Sequence, residues 1–102
     1  MEKIDRIETW GEEKGLIGNS GDPVMQTMKL IEEVGETARA VAYNDLDGIK
    51  DGIGDCVVVL TILARQCGTT LPDCMDVAWD EIKDRTGKLE SGLFKKDGDY
   101  DC

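Results

Sequence analysis

Histidine is absent from the 102-residue sequence. The absence removes the side chain that most often acts as a general base near neutral pH, and that most often binds transition metals. Any chemistry of this chain must therefore depend on carboxylates, lysine, arginine or thiols.

The sequence also lacks a cysteine pattern typical of disulfides or zinc sites. Its four cysteines, at positions 56, 67, 74 and 102, include no CxxC pair. Two of them lie in apolar runs. Because closely spaced disulfides and paired metal ligands need a different spacing, we expect reduced thiols in a cytosolic setting.

Long hydrophobic runs are missing as well. The longest, CVVVLTILA, has nine residues even with its threonine counted, which is too short to span a bilayer. The opening MEKIDRIETW is charged and has no apolar core of signal-peptide length. We therefore expect neither export nor membrane insertion, and a cytoplasmic location.

Basic residues are outnumbered by acidic ones, 12 against 22, which gives a formal net charge of -10. This charge repels a nucleic-acid backbone or an anionic membrane, so we expect neither as a partner. A polyanionic ligand would need metal ions to bind here. The length indicates a single domain over residues 1–102, near the size at which a partner subunit adds usefully to burial.

Capping residues divide the chain into four predicted helices and a tail. Asp22 and Pro23 suit the start of the second helix, Asn44 suits its end, and Gly68 suits the end of the third. The predicted fold is therefore all-α, with helices over about 2–15, 23–43, 46–67 and 71–86, and an extended tail over 87–102 in which Leu93 and Phe94 are the only anchors.

The third helix is ambiguous in sequence, because CVVVLTIL is β-branched and alone is typical of a buried strand. We predict a helix, since no second run of this kind exists to pair with it and an isolated strand leaves its backbone groups unsatisfied. Such a helix is apolar in nearly every direction from Ile53 to Leu63, and needs burial on all sides. Another subunit is expected to cover part of it.

The second helix carries a predicted core stripe about 100° wide on a helical wheel. Its members are Leu30, Ile31, Val34, Ala38 and Val41.

Beside that stripe lies an acidic cluster, Glu32, Glu33 and Glu36, in the segment KLIEEVGE. Carboxylates three and four residues apart repel each other on a bare helix. Asp55, at the head of the apolar third helix, is likewise costly to bury without a positive partner. A solvated acidic face is one interpretation. The other is a site for Mg²⁺ or Mn²⁺, which prefer oxygen ligands.

Several segments together resemble a known family. They are KLIEEVGE, IKDGIGDCVVVLTILARQCG and WDEIKDRTGKLESGLFKKD, with GLIGNS in the first loop, and they span roughly residues 10 to 97. This ordered set is similar to the small, phage-type MazG-like proteins of the all-α nucleoside triphosphate pyrophosphohydrolases. The resemblance implies a dimer or dimer of dimers that hydrolyses a nucleoside triphosphate to the monophosphate and pyrophosphate.

The family holds Mg²⁺, for which Mn²⁺ can substitute, through EExxE on one helix and ExxD on the next. On this sequence EExxE is Glu32, Glu33 and Glu36, and the aspartate of ExxD is Asp55. The glutamate of ExxD falls on Gly52, which departs from the pattern. Asp51, one residue earlier, is a partial replacement that lies 100° away on the helix.

The resemblance also implies in-line attack by an activated water on the α-phosphorus, with Glu32 or Glu33 as the base. Predicted phosphate-binding residues are Lys83, Arg85 and Lys88, which also suit an ordinary basic helix end. Predicted base-binding residues are Asn19, Gln26, Lys29 and Trp10.

We expect a purine deoxynucleotide such as dGTP as substrate, in remodelling of the nucleotide pool in a phage setting. The alternative function is a non-catalytic helical module that binds a divalent cation or a basic partner.

Overall fold

The computed structural model describes residues 2–18 and 20–98. Within them the chain forms four helices followed by two short strands. Their bounds are α1 Glu2–Glu13, α2 Pro23–Ala42, α3 Leu46–Gln66, α4 Leu71–Ile82, β1 Gly87–Glu90 and β2 Leu93–Lys96.

The predicted capping residues act at the ends of α2 and α3. The Asp22 carboxylate accepts a hydrogen bond from the Val24 amide at 2.9 Å, and Pro23 occupies the first turn. Asn44 and Gly68 follow α2 and α3 with positive φ, at 52° and 85°. The β-branched CVVVLTIL segment lies wholly within α3, so the prediction of a helix there is confirmed.

The segment after α4 differs from its prediction. α4 ends at Ile82 rather than near residue 86, and residues 87–96 form an antiparallel hairpin instead of a tail without pairing. Ser91 and Gly92 both have positive φ and connect Glu90 to Leu93, which is the geometry of a two-residue type I′ turn. The predicted anchors of that segment, Leu93 and Phe94, are exposed.

Two compact units make up the chain, the first ending at Leu71 and the second beginning at Pro72. The prediction of a single domain stays a prediction. In the first unit α3 is central, because both α1 and α2 pack against it. The buried apolar residues of the first unit are Ile4, Ala40, Val59, Ile62 and Ala64.

Polar contacts fix α1 and the first loop against the end of α3. The Arg65 guanidinium lies 3.5 Å from the Glu8 carboxylate and 3.4 Å from that of Glu12. The Gln66 amide donates to the Leu16 carbonyl at 2.9 Å. These contacts hold the loop after α1 beside α3.

The face of α2 that packs on α3 is not the predicted stripe. The buried positions on α2 are Glu33 and Ala40, whereas Ile31, Val34 and Val41 are 53 to 61% exposed. Ala38 is exposed too, and only Leu30 is half-buried. We call Ile31, Val34, Ala38 and Val41 the α2 apolar stripe.

The physical reason is that α3 presents small residues to α2. Gly48 faces Ala40 and Gly52 faces Thr37, and small residues on both sides let the two backbones approach closely. Close approach thus selects the face of α2 that carries Thr37 and Ala40, about 100° from the α2 apolar stripe. On α3 itself, Ile53 and Leu60 remain exposed.

The second unit contains α4 from Pro72 onward and the hairpin. Leu89 pairs with Phe94 across the two strands. The Thr86 hydroxyl donates to the Asp97 carboxylate at 2.8 Å and closes the open end of the hairpin. Among the described residues, no helix has the length and apolar character needed to cross a membrane.

Candidate metal and nucleotide site

The three glutamates of α2 come together as one cluster. One carboxylate oxygen from each of Glu32, Glu33 and Glu36 lies within 4.8 Å of the other two. The spacing of one and three residues on a helix places all three on the same side of α2, beside the face that contacts α3.

Glu33 is the unusual member, because its side chain is buried while its neighbours are exposed. The residue is only 5% exposed, and its Oε2 atom is buried with no hydrogen-bond partner among the described residues. An ionised carboxylate in such a position is costly without a positive partner. The partner present is Lys29, whose ammonium lies 3.3 Å from Glu33 Oε1 and 3.3 Å from Glu32 Oε1.

The charges of this cluster perturb one another. Hydrogen bonds to Glu33 and then Glu32 raise the pKa of Lys29 above its ordinary value, since both stabilise the ammonium. Repulsion from Glu33, followed by desolvation and repulsion from Glu32, raises the pKa of Glu36. Three carboxylates with one lysine thus leave excess negative charge at one place on the helix.

This donor set fits a hard divalent cation. It offers carboxylate oxygens alone, with one of them buried and unsatisfied, and Mg²⁺ or Mn²⁺ prefers such ligands over the thiolates or imidazoles that suit zinc or copper. Glu32, Glu33 and Glu36 are therefore the residues that would hold the cation.

The acidic residues of α3 lie outside this group of three. Asp55 is half-buried and Asp51 is exposed. The contacts of Ala40 with Gly48 and of Thr37 with Gly52 show that α2 and α3 run antiparallel. One turn beyond Gly52, Asp55 therefore lies near the level of Glu33, and its role as a ligand stays a prediction, as does that of Asp51.

At Gly52 the two helices are too close for any side chain. A Cβ atom built on Gly52 would lie 3.0 Å from Thr37 Cβ and 3.1 Å from Thr37 Cα. Both are tighter than ordinary van der Waals contact, and the second involves backbone. The Thr37 hydroxyl donates to the Glu33 carbonyl at 2.8 Å, so its own position is fixed. The family pattern has a glutamate at position 52, and the space that its side chain would need is therefore filled by α2.

A cavity of about 380 Å³ opens beside Lys29. Three of the four predicted base-binding residues line it, namely Trp10, Gln26 and Lys29. Apolar residues of the loop, α2 and α3 complete the lining, Leu16, Met25, Val58, Val59 and Ile62. The fourth predicted residue, Asn19, lies outside the described residues.

A second cavity, of about 310 Å³, is lined in part by Glu36. Asp51, Gly52 and Arg39 are among its lining residues. The Arg39 guanidinium stacks over the Tyr43 ring, 5.0 Å from its centroid. Sequence reasoning missed Arg39, although its spacing of three residues from Glu36 places it on a neighbouring side of α2.

The predicted phosphate-binding residues belong to the second unit. Lys83 follows α4 and donates to the Asp80 carboxylate at 3.1 Å. Arg85 precedes the hairpin, and Lys88 lies on β1 opposite Lys95. Their role stays a prediction.

Comparison with a family profile bears on the segment that contains the acidic cluster. A family profile described as "MazG nucleotide pyrophosphohydrolase domain" matches residues 23–88, which include the acidic cluster and all of α2 and α3. The matched segment exceeds half of the chain. The chain therefore belongs to the MazG nucleotide pyrophosphohydrolase family.

One similar protein comes from Haemophilus phage HP1 (strain HP1c1), where it is described as an uncharacterized 18.2 kDa protein in the rep-hol intergenic region. It is 51% identical over 63 residues, which cover 62% of this chain and 38% of the relative. The chain thus spans well under half the length of that phage protein. No solved structure matches the chain significantly.

Proposed function

We propose that the protein is a divalent-cation-dependent pyrophosphohydrolase that converts a nucleoside triphosphate to the monophosphate and pyrophosphate. The observation that carries the proposal is the buried Glu33 carboxylate, with an unpartnered oxygen, inside a group of three glutamates in the MazG region. A buried, unsatisfied carboxylate among like charges is unfavourable unless the site binds a cation.

Glu33 and Glu36 are assigned mainly to hold the cation, together with Glu32, and Asp55 and Asp51 are assigned as further ligands from α3. When bound, Mg²⁺ or Mn²⁺ supplies positive charge that neutralises the phosphates and activates water. Glu32, whose side chain is 58% exposed, is the carboxylate that an entering water reaches most easily. We therefore assign to Glu32 the removal of the proton from the attacking water.

The cavity beside Lys29 is proposed to receive the nucleoside. The indole of Trp10 offers a flat ring for stacking, and the Gln26 amide offers a donor and an acceptor to a base edge. A purine deoxynucleotide such as dGTP suits this pairing of a ring surface with hydrogen-bonding groups. Lys83, Arg85 and Lys88 are proposed to bind phosphate.

We further propose that the protein acts on the nucleotide pool in the cytoplasm of an infected bacterium. The similarity to a protein of Haemophilus phage HP1 motivates the phage setting alone.

Turnover measured across the common NTPs and dNTPs tests this function. We expect one or a few of them to yield monophosphate and pyrophosphate with Mg²⁺, and turnover to be lost on chelation with EDTA and restored by Mg²⁺ or Mn²⁺. Chromatography of the products gives the stoichiometry. Glu33→Gln serves as the inactive control.

Absence of turnover with every nucleotide, in wild type as in Glu33→Gln, would favour the non-catalytic cation-binding module instead.

Self-association is proposed as part of the functional form. The α2 apolar stripe and Ile53 and Leu60 of α3 are exposed in the single chain, and many exposed apolar side chains on two packed helices are typical of subunit interfaces. A dimer or a dimer of dimers that covers these side chains would bury α3 on the sides that α1 and α2 leave open.

Ile31→Asp is expected to weaken this self-association on the order of 100-fold, because it places a charge within the α2 apolar stripe. Light scattering at tens of micromolar measures the change in mass. Leu46→Asp is the matched control, since Leu46 and Ile31 are both 61% exposed and Leu46 lies off the stripe. A monomeric wild type at these concentrations would contradict the proposed assembly.

A further inference from the structure

The ammonium group of Lys29 lies between two of the three clustered carboxylates. It is 3.3 Å from Glu33 Oε1 and 3.3 Å from Glu32 Oε1, and it donates a hydrogen bond to the latter. The lysine ammonium thus bridges two of the three carboxylates to which a divalent ion is assigned.

The burial of Glu33 makes this contact more than an exposed helix ion pair. Glu32 and Lys29 have side chains 58% and 51% exposed, and a pair between two such groups contributes little to stability. The Glu33 side chain is 7% exposed, so its charge is poorly solvated and depends on the ammonium. Lys29 provides a cationic group within ion-pair distance of Glu33.

The ammonium nevertheless leaves the site incompletely satisfied. It contacts Oε1 of Glu33, while Oε2 of the same carboxylate is buried without a hydrogen-bond partner among residues 2–18 and 20–98. Glu36 has no ion pair with Lys29, although its carboxylate belongs to the cluster. One positive charge therefore faces three negative ones, and a doubly charged ion is a better match to the same oxygens.

We propose that Lys29 is a displaceable counter-cation, which holds Glu32 and Glu33 in the metal-free protein and gives up this position when a divalent cation binds. The inference rests on the proposed function, since it concerns the same acidic cluster. It adds that the affinity for the divalent cation depends on competition between this cation and Lys29 for the same carboxylates.

Displacement also changes the charge at the neighbouring cavity. Lys29 lines the cavity together with Trp10 and Gln26. Once released from the glutamates, its ammonium stays tethered at the rim of that cavity. Its charge then becomes available to nucleotide phosphates only after the divalent cation has bound, which couples the two binding events in one order.

Calorimetric titration of Mn²⁺ or Mg²⁺ into the nucleotide-free protein tests this exchange of the Lys29 ammonium for a divalent cation. Lys29→Met is expected to bind the cation about fivefold more tightly than wild type, because the competing ammonium is gone. Lys3→Met is the matched control, since it removes an exposed lysine charge from α1, and its affinity is expected to equal that of wild type.

Thermal unfolding gives an independent readout. Lys29→Met is expected to have a lower Tm than wild type in EDTA and a larger rise in Tm on addition of Mg²⁺, because the substitution removes a contact that exists only in the metal-free form. Lys29→Gln is the second variant, with the same expectation, and provides the test should Lys29→Met not fold.

Equal cation affinity in wild type, Lys29→Met and Lys29→Gln, with turnover in wild type, would overturn the exchange and leave the proposed function standing. A wild type that neither binds a divalent cation nor turns over any nucleotide would overturn both.

Discussion

Glu36→Gln is expected to reduce nucleotide turnover roughly 100-fold or more, because it neutralises one of the three clustered carboxylates proposed to hold the cation, without changing the shape of the side chain. The helix itself is expected to remain intact. Glu36 lies in repulsive contact with Glu33 and Glu32, so its neutralisation relieves like-charge repulsion in metal-free buffer. Circular dichroism should therefore show unchanged helix content and an equal or slightly higher Tm in EDTA.

Glu13→Gln is the matched control for this experiment. Glu13 is an exposed glutamate at the end of α1, and its neutralisation is expected to leave turnover unchanged. The combination of lost turnover with unchanged stability separates a ligand from a structural residue. Full activity in Glu36→Gln would show that the cation site does not include this carboxylate.

Gly52→Glu is expected to destabilise the protein, by about 1–3 kcal/mol or more, rather than to restore the family's missing ligand. The family pattern alone suggests that this substitution tightens Mg²⁺ binding. The structure instead shows that even the first side-chain atom at Gly52 would meet Thr37, whose Cα lies 3.1 Å from it. The two helices must separate to admit the side chain, and urea unfolding measures the loss.

Gly54→Glu is a close control on the same helix. A Cβ atom at Gly54 meets nothing within 4 Å among its described surroundings, and the residue is exposed. Replacement of a helical glycine there is expected to be neutral or to stabilise by up to about 1 kcal/mol. If Gly52→Glu were as stable as Gly54→Glu and bound Mg²⁺ more tightly than wild type, the close contact of α2 and α3 would be refuted.

Local signals in the sequence were sufficient to predict most of the helices. Asp22, Pro23 and Gly68 mark helix ends through interactions within a few residues, and these depend little on the rest of the fold. The helical state of CVVVLTIL followed from the lack of a pairing partner. The cluster of Glu32, Glu33 and Glu36 was predictable for the same reason, since helix geometry alone brings the three together.

Contacts between helices were less predictable. The most apolar face of α2 was expected in the core, but hydrophobicity does not reveal how closely two backbones can approach. The small residues Gly48, Gly52 and Ala40 decide the packed face instead. The ion pair of Lys29 with Glu33 is predictable from their spacing of four residues. The burial of Glu33, which makes this ion pair matter for stability, depends on the packing of α3.

The hairpin had a signal that was overlooked. The dipeptide Ser91-Gly92, between GKLE and LFKK, is typical of a two-residue turn, and both residues adopt the positive φ that a type I′ turn requires. The segment is short and its apolar side chains are exposed, so alternation between a buried and an exposed face gave no support for strands.

The contact between Thr37 and Gly52 also bears on the size of ion that the protein can accept. Two helices in contact through a glycine are already at their minimum separation, and the hydroxyl that fills the gap is bonded to the Glu33 carbonyl. A large ion such as Ca²⁺ needs six to eight oxygens at about 2.3–2.6 Å, whereas Mg²⁺ needs a compact shell at about 2.0–2.1 Å. If Asp55 supplies a ligand from α3, as proposed, the fixed spacing of α2 and α3 limits the size of the ion that both helices can contact, and we expect Mg²⁺ to bind in preference to Ca²⁺.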